Sequence, residues 1–470
     1  MSVSEGAATT GPGEATAQRG TGTIAALTLA VLAFSFLQML VVPAMPVIQA
    51  DLGVSASDIT WLQSAFLLTT AVGTPILGVV GDHFGRRRVL VAVLCVFAAG
   101  GAIGVFATSL PWLIVGRAVQ GLGGAVFPLC VALVRDAVPA RQVSSSVGLL
   151  TAMFGAGAAV SLVVTGPLVD HVSWHAIFAL AAVIPLVAAA MVWRYVPGHV
   201  GRPVGRRRLD WPGGVLLVLA MVPILLGISS SSTDGWSSVR VLVPLAVGAV
   251  MTAVWVMWER NAPTPLMDLR LLAGRPVWPL HVGAAAVGFG MYGGVYVIAQ
   301  LLQSEGVGFG LSVTTTSLLM LPAMVLGFPA ATLAGVLGSW FGSRLPLVVG
   351  MLAMVAGYAL MASVAEQVWS VIVGIVLTQG IGLNLAFTGL ANLVVEATPI
   401  TQSAEAMGVN ASARTMGGSV GSQVLGVFVA AGTVTGFAWA FALPGAALLL
   451  TLLVMWAVGP ALGKRVPRDG

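Results

Sequence analysis

Charged side chains gather in a glycine-rich segment that follows the second apolar run of the chain. The segment reads Gly78-Val79-Val80-Gly81-Asp82-His83-Phe84-Gly85-Arg86-Arg87-Arg88. Its glycines permit a tight turn and a close approach of helices. The Asp82 carboxylate can pair with a cation or cap a helix N-terminus. This spacing therefore favours an electrostatic contact between helices.

Two arginines stand inside apolar runs, where a charge is costly and marks function by default. Helical spacing puts the first on one face with small and polar residues, namely Arg117, Gln120, Gly121 and Gly124. The second starts a similar stripe, made of Arg414, Gly417, Gly418 and Gly421. Such faces turn toward other helices rather than lipid. Burial against carbonyl groups for packing alone stays open for both arginines.

The sequence offers no residue set for enzymatic chemistry. It contains no His/Cys cluster, paired acids or nucleophile elbow, so we expect no enzyme, cofactor or metal site. The only lysine, Lys464, is followed by Arg465, which excludes the phosphate-binding loop of an ATP-driven pump. The acids nearest to the centres of the apolar runs still lie near run ends, and they are Asp51, Asp170, Glu305 and Glu396.

The elements that hold these residues must be membrane-spanning helices. The chain is 58% apolar and 8% charged, whereas a soluble domain carries about 25% charged residues. This excludes soluble enzymes, disordered proteins and nucleic-acid binders. Runs of about 20 apolar residues predict spanning helices. We place fourteen, near 24–47, 60–80, 88–108, 111–134, 146–168, 174–195, 211–229, 239–258, 277–302, 313–337, 345–364, 368–394, 407–431 and 437–459.

The basic residues give the orientation, because Lys and Arg concentrate in cytoplasmic loops. If the N-terminus is cytoplasmic, all but three of the 21 basic residues fall in cytoplasmic loops and tails. The three exceptions are Arg117 and Arg414, which lie within spans, and Arg240, which lies in an extracellular loop. This predicts a multi-pass protein of the plasma membrane with both termini cytoplasmic. Removing a pair of spans would keep the pattern, so twelve spans stay an alternative.

An internal repeat divides the chain into halves. Gly78-Val79-Val80-Gly81 and Gly335-Val336-Leu337-Gly338 are 257 residues apart, and Gln120-Gly121 and Gln379-Gly380 are 259 apart. The spacing covers eight spans rather than six, which indicates two extra spans between six-helix halves. The expected segments are a disordered tail (1–23), the first half (24–195), a basic loop (196–210), two inserted helices (211–258), a loop (259–275), the second half (276–460) and a tail (461–470).

The segment at 78–88 resembles the signature loop of the major facilitator superfamily, and Arg117-x-x-Gln120-Gly121-x-Gly123 is similar to its second motif. The span count and Leu209-Asp210-Trp211-Pro212-Gly213 resemble the fourteen-span drug:proton antiporters. The resemblance implies the major facilitator fold, proton coupling through Arg117, and gating by Gly78, Gly81, Asp82, Gly85, Arg86 and Arg87. The helix-face motif residues are Gln120, Gly121, Gly157, Gly166, Pro167 and Arg414.

Two departures from the family pattern concern proton coupling. The fifth span keeps Gly157 and Gly166 but loses the family's Gly-Pro pair, and the first span has Gln38 near the place where many members carry an Asp. Without a central carboxylate, we expect the proton at a span end, with Asp170 and His171 as the favoured site. A histidine such as His281 is the other candidate, because imidazole titrates near neutral pH.

Polar residues within spans mark a candidate substrate cavity between the halves. They are Gln38, Gln63, Tyr292, Tyr296, Gln300, Gln379 and Asn384. Pockets for small molecules are mostly apolar with a few placed polar groups. The sequence therefore suits a large apolar ligand, and the missing central acid argues against a specialist for cations.

We expect a secondary transporter that exports hydrophobic or amphiphilic compounds, such as a drug, antibiotic or secondary metabolite, by proton antiport. Its expected partners are a small-molecule substrate, protons and the lipid bilayer, without nucleic acid, and it is expected to be a monomer. One alternative is an uncoupled facilitator or an importer of a small metabolite. Another is a non-transporting membrane sensor.

Overall fold

The computed structural model describes residues 12–137, 140–197, 210–265, 277–363, 367–398 and 403–457, and these contain helices and no strand. The tail 461–470 and most of the expected basic loop lie outside the described residues. Fourteen long helices follow one another, namely α1 Pro12–Leu52, α2 Ala56–Phe84, α3 Arg86–Val105, α4 Leu110–Ala137, α5 Ala140–His171, α6 His175–Tyr195, α7 Trp211–Asp234, α8 Val239–Asn261, α9 Trp278–Gln303, α10 Val313–Phe341, α11 Arg344–Ser363, α12 Val368–Ala397, α13 Ser403–Ala430 and α14 Val434–Ala457.

Thirteen of these helices are long and apolar enough to cross a membrane. The remaining one, α13, is 28 residues long but carries Arg414 and several Ser, Asn and Gln residues. It packs against α2, α7 and α9 inside the bundle. The all-helical membrane fold is thereby confirmed, and the helices are consistent with fourteen spans. Both α7 and α8 qualify, which favours fourteen over twelve.

The first helix starts earlier than the sequence suggested. We expected a disordered tail through residue 23, whereas α1 begins at Pro12. Proline is favoured in the first turn of a helix because its missing N–H would have no partner there. The eleven residues before it lie outside the described part of the chain.

Helix packing follows the repeat. In the first half α1 packs on α5 and α3 on α6, and in the second half α9 packs on α13 and α11 on α14. These pairs are equivalent when each helix is matched to the helix eight places later. The two largest contacts between the halves, α2 with α13 and α5 with α10, are equivalent to each other under the same match, because α2 corresponds to α10 and α5 corresponds to α13. The pattern is that of two similar bundles related by an axis along the membrane normal.

The inserted helices α7 and α8 pack mainly on each other. A separate apolar cluster joins them to α2 and α13, and it includes Leu68, Val72, Leu217, Leu225, Trp255 and Val409. The pair therefore lies beside the contact of α2 with α13, outside the two halves. The segment boundaries themselves stay predictions.

The repeat is also visible where α2 and α10 end. Gly85 follows α2 with φ of 97°, and Gly342 follows α10 with φ of 85°. Glycine reaches positive φ without the steric cost that a Cβ imposes. Both helices therefore turn sharply into the next one at equivalent glycines.

Several helices near the centre of the bundle are interrupted. A 3₁₀ turn spans Leu122–Ala125 in α4, and π-helical turns span Phe289–Gly293 in α9 and Val376–Gly382 in α12. Such turns are frequent at functional sites. They place Gln379 and Tyr292 in irregular backbone.

Candidate functional site

The signature loop closes around one arginine. Arg86, the first residue of α3, donates from Nε to Asp82 Oδ1 at 2.8 Å and from Nη1 to Asp136 Oδ2 at 2.5 Å. Asp136 lies at the end of α4, so the guanidinium ties together the ends of three helices of the first half. A Cβ added to Gly81 would lie 2.7 Å from Leu129 of α4. The small residue therefore allows this close contact.

Other residues of the loop anchor it on a neighbouring helix. Arg87 donates to the Trp193 backbone carbonyl, and its guanidinium lies 4.4 Å from the centre of the Trp193 ring. This contact joins the start of α3 to the end of α6. Asp82 was expected to pair with a cation or to cap a helix N-terminus, and in this state its ion pair is with Arg86 of its own half.

The second half keeps part of this arrangement. Ser343 stands where the repeat aligns Arg86, and its hydroxyl donates to Glu396 Oε1 at 2.6 Å. Ser339, in the place of Asp82, bonds instead to a backbone carbonyl of its own helix. Glu396 thus corresponds to Asp136. Asp136 was not among the residues predicted from the sequence, although Glu396 follows it by 260 residues, one more than the repeat spacing of 259.

Arg117 of α4 is buried completely. It donates from Nε to the Leu62 carbonyl at 3.2 Å and from Nη1 to Gln120 Oε1 at 3.0 Å, and its guanidinium lies 4.2 Å from the centre of the Phe66 ring. A Cβ on Gly121 would lie 2.4 Å from the Phe66 carbonyl oxygen. The helix-face motif therefore brings α4 into close contact with α2, and its charge is held by a carbonyl, an amide and a ring.

Arg414 of α13 has a different environment. It is half-buried, and its guanidinium lies 4.6 Å from the centre of the Phe387 ring of α12. The Tyr292 side chain lies near the guanidinium, while Arg414 Nε is buried without a partner. A Cβ on Gly288 would meet the Arg414 carbonyl oxygen at 1.9 Å, so glycine lets α9 and α13 approach closely at this point.

The fifth-span residues mediate close helix contacts. A Cβ on Gly157 would lie 2.7 Å from the Leu32 carbonyl of α1, and one on Gly166 would lie 2.3 Å from Cα of Thr314 of α10. Pro167, the next residue, is exposed. Although the family motif is incomplete, its two glycines still allow α5 to pack closely against α1 of its own half and α10 of the other half.

Asp170, at the end of α5, caps a helix of the other half. Its two carboxylate oxygens accept from the backbone amides of Val313 at 3.3 Å and Thr314 at 2.9 Å. These amides start α10, where a carboxylate is stabilised by the helix dipole. His171, the other favoured proton site, is exposed.

The same end of the bundle carries further hydrogen bonds between the halves. Tyr296 of α9 donates to the Ala56 carbonyl at 2.6 Å. Gln300 donates to the Gln49 side chain of α1, and Gln303 donates to an α1 carbonyl at 2.8 Å. We call this region, made by the ends of α1, α5 and α9 with the starts of α2 and α10, the closed end.

Contacts between the halves continue to mid-depth. Ser64 of α2 and Ser419 of α13 exchange hydrogen bonds with each other's backbone carbonyls, both at 3.1 Å. Toward the opposite end, the same four interfacial helices have glycines with open space around them. A Cβ on any of these glycines would meet no atom within 4 Å, and they are Gly78 of α2, Gly148 of α5, Gly335 of α10 and Gly408 of α13.

The seven candidate cavity residues do not share one site in this state. Tyr296 and Gln300 belong to the closed end. Gln379 is buried within the second half, where it donates to the Tyr358 hydroxyl at 3.4 Å. Asn384 donates to a carbonyl of its own helix at 2.8 Å. Among them, Tyr292 lies near Arg414, one of the two arginines of the spans.

The two remaining candidates, Gln38 and Gln63, are buried in the first half, and Gln63 Oε1 has no partner. His281 of α9 is also buried, and neither ring nitrogen has a partner. Phe387 was not among the residues predicted from the sequence, although its position one turn after Asn384 could have indicated it. Within the described ranges no group of His, Cys, Asp and Glu is arranged to hold a metal ion.

Comparison with known proteins places this arrangement in a family. A model of the Major Facilitator Superfamily matches residues 27–422 and again 280–469. The tetracenomycin C resistance and export protein of Streptomyces glaucescens is 30% identical over 396 residues, which are 82% of this chain and 72% of that protein. The multidrug resistance protein Stp of Mycobacterium tuberculosis is 28% identical over 379 residues, which are 80% of this chain and 69% of that protein.

Solved structures agree on the fold. A bacterial homologue of the human lysosomal transporter Spinster, in an inward-facing and unoccupied conformation, superposes with a TM-score of 0.66 at 14% identity. The match covers 96% of this chain and 99% of that one. The paired helix bundles, the signature loop and the family match lead to one assignment. The chain belongs to the Major Facilitator Superfamily of membrane transporters.

Proposed function

We propose that this protein is a secondary transporter that exports hydrophobic or amphiphilic compounds, such as a drug, an antibiotic or a secondary metabolite, by alternating access. The observation that carries this proposal is the uneven contact between the halves. Hydrogen bonds join them from the closed end to mid-depth, whereas open space surrounds the interfacial glycines toward the other end. A cavity closed on one side is what alternating access requires.

The names of the relatives support export as the direction. One relative is named for resistance to and export of tetracenomycin C, and another for multidrug resistance. The basic residues of the chain support a plasma-membrane protein with cytoplasmic termini. With that orientation the closed end faces outside, so the structure corresponds to the state that collects substrate from the cytoplasm or the inner leaflet.

Proton antiport is the proposed energy source. A coupled carrier needs a group whose protonation favours one conformation over the other. Asp170 suits this role, because its carboxylate joins the halves through two amides of α10. A proton on this carboxylate would remove the charge that the helix dipole stabilises. His171 is the adjacent site for the proton, and Arg117, which stays charged, tunes α4 against α2.

Transport of a panel of aromatic dyes into inverted membrane vesicles tests the proposal. Uptake that exceeds that of vesicles without the protein, and that rises when the lumen is acidified, is the expected result. Uptake that does not respond to the pH gradient would contradict proton antiport and favour an uncoupled facilitator. The absence of a carboxylate at mid-span also favours the facilitator hypothesis. No uptake of any dye would contradict export.

A further inference from the structure

The membrane-spanning part of the second half carries the positive charge of Arg414 without a negative charge beside it. The sequence has no Asp or Glu from position 306 to 365, and none from 367 to 395. Glu396 stands at the end of α12 and accepts from Ser343. Glu405 lies nine residues before Arg414, more than two helical turns away. Arg414 therefore has no acid of these helices at its own depth.

Packing shows which way Phe387, the ring beneath Arg414, points. On α12, Leu385 and Gly389 both pack against α11 at the outside of the bundle. Each residue turns an α-helix by about 100°, so a residue two positions from both Leu385 and Gly389 lies on the opposite face of α12. Phe387 is that residue, and its side chain is 42% exposed. Its ring therefore faces inward, away from α11, with one side open.

The arginine reaches this ring past a glycine. A Cβ on Gly288 of α9 would lie 2.9 Å from Arg414 Cγ, so the glycine leaves the path of the side chain free. A second aromatic residue, Phe328 of α10, is 46% exposed and lies close to Gly155 of α5 at the contact of the halves. Arg414, Tyr292 and Phe387 thus supply a cation, a hydroxyl and an open ring, and Phe328 supplies a second open ring at the contact of the halves.

Each of the two intramembrane arginines leaves one buried nitrogen without a partner, Nη2 of Arg117 and Nε of Arg414, but the rest of their surroundings differ. Arg117 is fully buried and donates to a carbonyl and an amide. Arg414 is half-buried, rests on a ring and leaves Nε without a partner. A cation in a low-dielectric region without a fixed counter-charge is costly, and an anion that enters the site repays that cost. A guanidinium is well suited to bind carboxylates, sulfonates and phosphates through paired hydrogen bonds.

We infer that Arg414 is an anion subsite of the substrate cavity, and that the preferred substrates are amphiphilic anions with an apolar aromatic body. The acidic group pairs with the guanidinium beside Tyr292, and the body packs on Phe387 and Phe328. This inference rests on the proposed function, because it narrows the substrate class of the same cavity. It predicts discrimination by charge among molecules of one shape.

Binding of three pyrene derivatives to the full-length protein in lipid nanodiscs tests the subsite, with empty nanodiscs as the blank. The probes are 1-pyrenesulfonate, 1-pyrenemethanol and 1-pyrenemethylammonium, which share a ring and differ in charge. We expect the sulfonate to bind roughly tenfold or more tighter than the ammonium, because it alone pairs with a desolvated cation. Arg414→Gln should abolish this preference, and Arg414→Lys should keep part of it.

Arg240→Gln is the matched control, because Arg240 is exposed and pairs with Asp234 near the ends of α7 and α8. It should leave the preference unchanged. Equal or tighter binding of the ammonium by the unmodified protein would overturn the inference. So would unchanged sulfonate binding in Arg414→Gln. If that variant does not fold, the unmodified protein and Arg414→Lys still decide the outcome.

Transport of the same probes into inverted vesicles separates this inference from the proposed function. Charge-selective binding that depends on Arg414, without transport of any probe, would contradict export and support the subsite. Transport of the ammonium but not of the sulfonate would support export and overturn the subsite. Transport of the sulfonate that is lost in Arg414→Gln supports both.

Discussion

Asp82 and Arg86 form the contact on which the signature loop depends. Arg86 bonds to Asp82 and to Asp136, so removal of the Asp82 charge leaves the guanidinium one partner. Asp82 is 41% exposed at its side chain, and ion pairs so close to water contribute at most about 1 kcal/mol to stability. We therefore expect folding not to depend on this pair, and we propose that the pair acts in the change between conformations.

We expect Asp82→Asn to insert and fold but to lower transport roughly tenfold or more, equivalent to about 1.4 kcal/mol on the barrier. The measurement is turnover in vesicles at matched expression. Asp234→Asn is the control, because Asp234 pairs with Arg240 at a distance of 3.5 Å, away from the signature loop. Unchanged turnover in Asp82→Asn would refute the role of the loop.

The sequence predicted some residue roles better than others. The turn at Gly85 and the burial of Arg117 follow from local rules, because positive φ favours glycine and a span cannot expose a charge to lipid. The second partner of Arg86 could not be predicted, because Asp136 is far along the chain. Tyr296 and Gln300 were expected along a cavity, but their place in the closed end depends on the conformation, which local patterns do not specify.

At the scale of helices, glycines set the distance between α4 and α2. A Cβ on Gly121 would lie 2.4 Å from a backbone oxygen of α2, whereas one on Gly148 of α5 would meet nothing within 4 Å. A backbone oxygen cannot move aside as a flexible side chain can. The two glycines therefore provide a matched pair for a test of helix packing.

We expect Gly121→Ala to destabilise the protein by about 1–3 kcal/mol, the usual cost of overpacking, and Gly148→Ala to have little effect. Thermal unfolding of both variants in one detergent measures the difference. Equal stability of the two variants would show that α4 and α2 are not held at this distance.

The contact of α5 with α10 carries the proposed coupling. If a proton on Asp170 weakens the cap on α10, Asp170→Asn should blunt the response of efflux to an imposed pH gradient in proteoliposomes. Glu396→Gln is the control, because Glu396 bonds to Ser343 within the second half and should keep the response. A normal response in Asp170→Asn would contradict the role of Asp170 as the proton site, but it would not contradict proton antiport.

At the scale of the whole molecule, the helix count and the repeat were predictable because twenty-residue apolar runs and basic loops are long-range, redundant signals. The start of α1 was not, because its first turns are as rich in Gly, Ala and Thr as a tail. The pairing of α2 with α13 and of α5 with α10 follows from the repeat only once the two halves are placed face to face.

Topology gives a test of the orientation. Single cysteines placed at Val204 and at Gly470 should resist an impermeant thiol reagent added to intact cells and react after lysis, because basic segments stay cytoplasmic. The background lacks Cys95 and Cys130, the two native cysteines. Labelling of either site from outside would contradict the orientation and, with it, the assignment of the closed end to the outer face.

The most direct test of alternating access is to lock the closed end. Gln49 and Gln300 contact each other across the halves, so a short, cleavable bifunctional thiol reagent should link cysteines at these two positions. If the closed end must open in each cycle, the link should abolish dye transport, and its cleavage should restore the rate of the unlinked double variant. Transport that continues at the unlinked rate while the link is intact would contradict the account.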